Sequence, residues 1–161
     1  MKKITPCLWF DSEAEEAANL YVSIFKNSKI TNTSYYTKSS EEVSGKPANT
    51  VLTVEFELEG TPYTALNGGP LFKFSEAVSF QIPCDDQEEV DYYWEKLTAD
   101  GGQESQCGWL KDKFGLSWQV VPNALPRLLS SDDSGVRERV MGAMMKMKKI
   151  VVADLEAAAA A

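Results

Sequence analysis

Two stretches of the chain repeat one order of elements, and this repeat restricts the fold more than any other feature. In each stretch, a short apolar strand runs into a hydroxyl or carboxylate followed three residues later by a glutamate, a pattern typical of a helix start. The patterns are Ser12/Glu15 and Asp85/Glu88, which lie 73 residues apart. Three strand-like runs follow each helix. We therefore predict two βαβββ modules that share an architecture but little sequence.

The first module is predicted from apolar spacing and turn residues. Apolar residues at helical spacing after Ser12 predict a helix that runs to about Lys26. Apolar and polar residues alternate over 51–58, which predicts a strand with Glu55 and Glu57 on its polar face. The remaining predictions are strands at 4–10, 34–36 and 63–66 and an exposed loop over 39–48.

The second module ends in a predicted β-hairpin. Gly115 gives its tight turn the backbone freedom it requires, and Pro122 cannot donate to a ladder, so pairing should end there. In the last strand, Ser117 and Gln119 share one face because strand side chains alternate. The Lys111–Asp112–Lys113 run is expected to form a charged hairpin tip. The other predictions are strands at 78–83, before Cys107, at 109–112 and at 117–121, and a helix with the stripe Val90, Trp94 and Leu97.

These elements predict one compact α+β domain with three parts. The first module covers 1–70, the second covers 71–123, and a helical extension covers 124–161. The extension carries a methionine-rich helical stripe, which is typical of a core or a subunit contact and less often of a binding site. The stripe consists of Val136, Val140, Ala143, Met144 and Met147.

Charge and composition exclude several classes of function. The net charge of −8 argues against nucleic acid or an anionic membrane surface as a partner. No run approaches the roughly 20 apolar residues of a membrane span, and the first residues lack the apolar core of a signal peptide. Three cysteines without CxxC spacing indicate free thiols in a reducing cytoplasm. There is no histidine, so imidazole bases, Ser-His and Cys-His dyads and histidine metal ligands are excluded.

Several segments resemble one known family. They include Ala65-Leu-Asn-Gly-Gly-Pro70 and Cys107-Gly-Trp-Leu-Lys-Asp-Lys-Phe-Gly-Leu-Ser-Trp-Gln-Val-Val-Pro122, with further similarity at 4–10, 86–90, 93–97, 139–141 and 147–149. They are similar to the PhnB-like branch of the vicinal-oxygen-chelate (glyoxalase, bleomycin-resistance and dioxygenase) superfamily, often called the 3-demethylubiquinone-9 3-methyltransferase family. The resemblance implies two modules whose mixed sheets curl around a shared cleft, in a homodimer.

The resemblance also implies where a metal would bind, and the residues there argue against one. In metal-bearing relatives, the first and last strands of each module supply the ligands. Carried over to this chain, Gln119 takes the place of a common glutamate. The other three positions fall on Thr5 or Cys7, on Thr64 or Asn67, and on Ala77 or Ser79. None of these is a carboxylate or an imidazole, so we expect no metal and no other cofactor.

The predicted function is that of a metal-free protein holding a small aromatic or amphiphilic metabolite or drug in the cleft between the modules. Aromatic walls with a few convergent polar groups suit such a ligand. The predicted cleft residues are Trp9, Thr53, Asn67, Ser79, Gln81, Trp109, Ser117 and Gln119. The alternative is a face that binds no ligand, where the polar groups form hydrogen bonds with one another and the tryptophans fill the core.

Two other functions stay open. One is an enzyme acting on a small metabolite, such as a lyase or the methyltransferase of the family label, with Glu55, Glu57 or Cys107 in the chemistry. A glycine-rich turn after the first strand would favour methyl transfer, but Asp11–Ser12–Glu13 stands there. The other is a scaffold without a ligand, whose methionine-rich helices serve assembly.

Overall fold

The computed structural model describes residues 4–161 and divides the chain into two compact units. Unit 1 spans Met1–Lys73 and unit 2 spans Phe74–Ala161. Each unit contains one four-stranded mixed sheet with helices, so the α+β class is confirmed. Within residues 4–161, no helix combines the length and apolar character that a membrane span requires.

Unit 1 holds its sheet in the order β1-β4-β3-β2, with β1 parallel to β4 and the other pairs antiparallel. Tyr21 of the first helix is fully buried, and the centroid of its ring lies 6.1 Å from that of Phe56, which lies on the strand Val51–Leu58. The elements are β1 (Cys7–Phe10), α1 (Ala14–Ile24), β2 (Lys29–Tyr35), α2 (Lys38–Ser44), β3 (Val51–Leu58) and β4 (Thr61–Asn67).

Unit 2 repeats this plan in the order β5-β8-β7-β6, again with the first strand parallel to the last. The architectural repeat predicted from the caps is therefore confirmed. The elements are β5 (Ser79–Cys84), α3 (Gln87–Thr98), β6 (Gln103–Glu104), β7 (Trp109–Lys111), β8 (Ser117–Pro122), α4 (Ala124–Leu129), α5 (Ser134–Met144) and α6 (Val152–Ala160), with a 3₁₀ turn at Ala99–Gly101.

The apolar stripes of unit 2 pack as alternation and helical spacing predict. The helix α3 stripe is buried, as are the opposing strand residues Trp118 and Val120. The last three helices enclose a small core of their own around Val140 and Leu155, and the predicted methionine-rich stripe packs against it. That stripe is thus core within this unit. The buried stripe residues of α3 are Val90, Trp94 and Leu97.

Both predicted caps differ in detail from the structure. The predicted Ser12/Glu15 box is wrong: the Ala14 N–H at the start of α1 donates to Asn67 Oδ1 at 2.8 Å, from the end of β4. The second cap lies one residue later than predicted, because Asp86 accepts from the Glu89 N–H. A side chain distant in sequence replaces the local cap of α1.

The polar stretch over 39–48 also differs from its prediction. We expected an exposed loop, but it contains the short helix α2. Thr37 caps this helix through a box with Ser40, and Gly45 ends it with a left-handed φ of 66°. The helix buries no residue, so apolar spacing could not reveal it; its signal lay in the hydroxyl cap and the terminal glycine.

Candidate functional site

Two rows of polar side chains cross the sheet of unit 2 on the face opposite its apolar core. Strand pairing sets these rows, because residues paired across neighbouring strands point to the same side of a sheet. In the first row, Ser79 of β5, Ser117 of β8 and Lys111 of β7 lie side by side. In the second, Gln81, Gln119 and Trp109 do the same. We call these six residues the polar face of unit 2.

One hydrogen bond connects the two rows, and another joins two residues of the second row. The Gln119 amide donates from Nε2 to Ser79 Oγ at 2.9 Å, and its Oε1 accepts from Gln81 Nε2 at 3.4 Å. Gln119 therefore sits at the centre of the polar face with its orientation fixed on both sides. Trp109 is half-buried directly opposite it on β7. The polar face therefore has one apolar wall, Trp109, beside the neutral donors and acceptors of Gln119, Gln81 and Ser79.

Ser117 is the unusual member of the face. Its side chain is 1% exposed, yet its Oγ has no hydrogen-bond partner among the residues the structure describes. Leaving a buried hydroxyl unpaired costs about 1–3 kcal/mol. An unsatisfied buried group of this kind calls for an explanation beyond folding.

An ion pair crosses the strand that carries Ser117. Lys111 Nζ contacts the carboxylate of Glu76, which precedes β5. Since β8 lies between β5 and β7, the pair joins the two flanks of Ser117. The hydrogen bond from Lys111 lowers the pKa of Glu76, with the lysine charge as a further cause. Glu76 was missed in the sequence, because it lies in the linker before β5.

A buried carboxylate holds the hairpin that presents this face. Asp112 is 3% exposed, and its Oδ1 accepts from the N–H groups of Phe114 and Leu116 at 2.9 and 3.1 Å. Its Oδ2 accepts from Trp118 Nε1 at 2.9 Å. The predicted charged tip is therefore wrong for Asp112. The aspartate four residues before Leu116, with a glycine in the turn, was the available signal.

Unit 1 presents a second sheet face, and Trp9 lies on its edge strand β1. The indole Nε1 donates to the carbonyl of Gly69 at 2.8 Å, and the ring packs edge-on against Phe72 at 4.9 Å. A side chain on Gly68 would place Cβ 2.3 Å from that ring, so the glycine lets the indole lie on the backbone. Thr53 is bonded to Ser34 at 2.6 Å between hydroxyl oxygens.

The two candidate glutamates of unit 1 line a small open cavity of about 250 Å³. Glu57 pairs with Lys29 at 3.7 Å, and Glu55 lies opposite Thr64 on the neighbouring strand. Thr5, Thr31, Tyr63 and Thr64 are among the other residues that line it. Both glutamates face solvent from a polar sheet surface.

Asn67 in unit 1 and Cys107 in unit 2 each contact other parts of their own unit. Asn67 is buried; besides capping α1 it donates from Nδ2 to the Val51 carbonyl at 3.0 Å, so its carboxamide stabilises the fold. Cys107 Sγ lies 3.7 Å from the Met144 carbonyl and 3.9 Å from Met145 Sδ, against the C-terminal helices. Their predicted roles in ligand binding and catalysis stay predictions.

The positions that the resemblance assigns to metal ligands do not fit a divalent ion. Cys7 pairs with Thr64 across β1 and β4, whereas Asn67 points to the helix side, so Thr64 is the strand position that matches. Partial desolvation raises the pKa of the exposed Cys7 thiol, which disfavours the thiolate that a metal would need. Ser79 and Gln119 are neutral. Within residues 4–161, no three His, Cys, Asp or Glu side chains group closely enough to hold a metal.

Comparisons with known proteins agree with this fold. A PhnB protein from Bacillus cereus is 32% identical, with 75% of this chain and 99% of that chain covered and a TM-score of 0.66. A Pseudomonas aeruginosa protein is 17% identical, with 76% and 98% covered and a TM-score of 0.55. The fosfomycin resistance protein FosX from Listeria monocytogenes is 15% identical, with 76% and 93% covered and a TM-score of 0.51.

The similarities to the Pseudomonas aeruginosa protein and to FosX show the fold alone. None of the curated protein sequences matches the chain. The model of the 3-demethylubiquinone-9 3-methyltransferase family matches residues 2–121, and this match ends just before α4 begins at Ala124. The chain therefore belongs to the 3-demethylubiquinone-9 3-methyltransferase (PhnB-like) family.

Proposed function

We propose that the protein binds a small aromatic or amphiphilic molecule on the polar face of unit 2 without a metal ion. The observation that carries this proposal is the polar face itself, on which Gln119 bonds Ser79 and Gln81 beside the half-buried indole of Trp109. Small-molecule sites typically combine one apolar wall with a few fixed polar groups. This face has both features on rigid strands.

The hydrogen-bond capacity of Gln119 supports a neutral mode of recognition. An amide has two N–H donors and a carbonyl that can accept twice, and the bonds to Ser79 and Gln81 use one of each. The remaining donor and lone pair are available to a carbonyl, hydroxyl or amide of a ligand. Stacking on Trp109 would add apolar contact.

The family name denotes a methyltransferase, but the residues of this chain favour binding over methyl transfer. The first strand of each unit leads into a capped helix without a glycine-rich turn for a nucleotide-like cofactor. The strands pair as two mixed four-stranded sheets, which differ from the parallel doubly wound sheet that such a turn serves.

We also propose a cytoplasmic homodimer. The free cysteines Cys7, Cys84 and Cys107 are consistent with a reducing compartment. The homodimer is what the resemblance to the vicinal-oxygen-chelate superfamily implies. Light scattering coupled to gel filtration measures the assembly, and a monomer mass at micromolar concentration would refute the dimer.

The function is tested by a thermal-shift screen of planar aromatic metabolites and drugs, because a ligand of the native state raises the unfolding temperature by mass action. Hits are repeated with Gln119→Ala and with Gln106→Ala, which removes an exposed glutamine outside the polar face. We expect stabilisation that Gln119→Ala abolishes and Gln106→Ala leaves intact. Hits that stabilise both variants equally would place the ligand elsewhere.

A further inference from the structure

The first row of the polar face holds hydrogen-bond donors that the fold leaves unused. Ser117 Oγ is buried and has no partner among residues 4–161. Ser79 Oγ accepts from Gln119, so the proton of the Ser79 hydroxyl is still available to donate. Both hydroxyls lie next to each other across β5 and β8. Two adjacent O–H donors match the oxygens of a single acceptor group.

The cation in the same row is held by a displaceable partner. Lys111 flanks Ser117 on β7, and its ammonium contacts Glu76. The Glu76 side chain is 61% exposed and lies outside the strands, whereas that of Lys111 is 33% exposed. A carboxylate from solvent could therefore replace Glu76 at Lys111, and the charge of the lysine would stay paired.

From this arrangement we infer that Ser117, Ser79 and Lys111 form a subsite for the oxyanion group of the ligand, a carboxylate or phosphoryl, and that Glu76 pairs with its lysine in the free protein. The inference rests on the proposed function and specifies the class of its ligand: an aromatic body on Trp109 and an anionic end on this row. Glu76 acts as an internal competitor that a ligand displaces.

Electrostatics support this assignment. Lys111 lowers the pKa of Glu76, so the lysine already favours an anion at this position. Charge-assisted hydrogen bonds are about twice as strong as neutral ones, so an anionic ligand gains more from Lys111 than a neutral one. The orphan hydroxyl of Ser117 gains its missing partner when an oxyanion arrives.

The test measures affinities by calorimetry with three probes: benzoate, its neutral isostere benzamide, and inorganic phosphate. The variants are Glu76→Gln, Ser117→Ala, Gln119→Ala and, as a control with the same charge change as the first, Glu88→Gln on α3. Ser117→Ala removes an unpaired group and makes no new contact, so the variant should fold.

We expect benzoate to bind more tightly than benzamide. Glu76→Gln should raise the affinity for benzoate and phosphate about tenfold, because the competing carboxylate is gone, and Ser117→Ala should lower it about tenfold. Benzamide binding should not respond to Glu76→Gln, and Glu88→Gln should leave all three affinities unchanged. A phosphate response without one to benzoate would assign the subsite to phosphoryl groups.

Equal affinity for benzoate and benzamide, with no response of benzoate or phosphate to Glu76→Gln, would overturn the oxyanion subsite. If benzamide still bound in a Gln119-dependent manner, the proposed function would stand and only the subsite would fall. If no aromatic probe bound but phosphate responded to both variants, the subsite would stand and the proposed aromatic ligand would fall. Absence of binding by all three probes would refute both.

Discussion

Asp112 accepts a hydrogen bond from the indole Nε1 of Trp118 at 2.9 Å, and this contact fixes β8 to the turn that precedes it. The other carboxylate oxygen accepts from two backbone N–H groups of the same turn. A charged side chain is thus buried with three donors around it. The hairpin that carries Ser117 and Gln119 depends on this buried carboxylate for its shape.

Replacing Asp112 with asparagine should destabilise the protein. The amide would turn a donor toward the Trp118 N–H or toward the turn, which leaves a buried donor unpaired at a cost of about 1–3 kcal/mol. Urea unfolding measures the loss. The matched control is Asp132→Asn in the exposed loop before α5, which should change the free energy of unfolding by less than about 0.5 kcal/mol. Equal effects of the two substitutions would contradict the role of Asp112.

Removing the hydroxyl of Ser117 should raise the free energy of unfolding, whereas Asp112→Asn should lower it. Ser117 Oγ is buried without a partner among the residues described, so Ser117→Ala should stabilise the free protein by about 1 kcal/mol. Ser34→Ala is the comparison, because Ser34 Oγ lies 2.6 Å from Thr53 Oγ1 and its loss should cost about 1 kcal/mol. Chemical denaturation of both variants provides the values. A loss of stability in Ser117→Ala would mean that the hydroxyl already has a partner.

The alkaline limit of stability should depend on Cys84. Burial, with the nearby charge of Glu89, raises the pKa of this thiol from its ordinary 9.0 to about 12. Between these values the unfolded chain loses the thiol proton while the folded protein keeps it. The stabilisation is therefore fully present below about pH 9 and falls by about 1.4 kcal/mol per pH unit above it.

Urea unfolding between about pH 8 and pH 11 measures this dependence. Cys84→Ala removes the thiol, so its stability should fall less steeply above about pH 9, even though the lost sulfur lowers stability at every pH. Parallel pH profiles for the two proteins would show that the Cys84 thiol ionises equally in the folded and unfolded chains.

The sequence predicts most of the elements because their signals are local. Alternation locates β3 and β8, and helical spacing locates α3 with its buried stripe. The helix α2 was not predicted, because it buries no residue and its sequence shows no apolar residues at helical spacing. The cap of α1 was not predicted because it is not local: its acceptor, Asn67, is 53 residues from Ala14 in the sequence.

The candidate site was predictable only in part. Alternation places Ser79, Gln81 and Gln119 on one face, and hydrogen bonds join them there, which is also what the interpretation without a ligand predicts. The pairing of Lys111 with Glu76 required the strand register, since nothing local relates a linker residue to a strand two positions away in the sheet. The isolation of Ser117 Oγ also depends on three-dimensional packing.

The most direct test of metal-free recognition at Gln119 is the affinity of the best screening hit, measured by titration calorimetry with and without excess EDTA. We predict the same dissociation constant in both buffers, and an increase of about tenfold in Gln119→Ala, which corresponds to one lost hydrogen bond. Loss of binding in EDTA, or unchanged affinity in Gln119→Ala, would contradict the account.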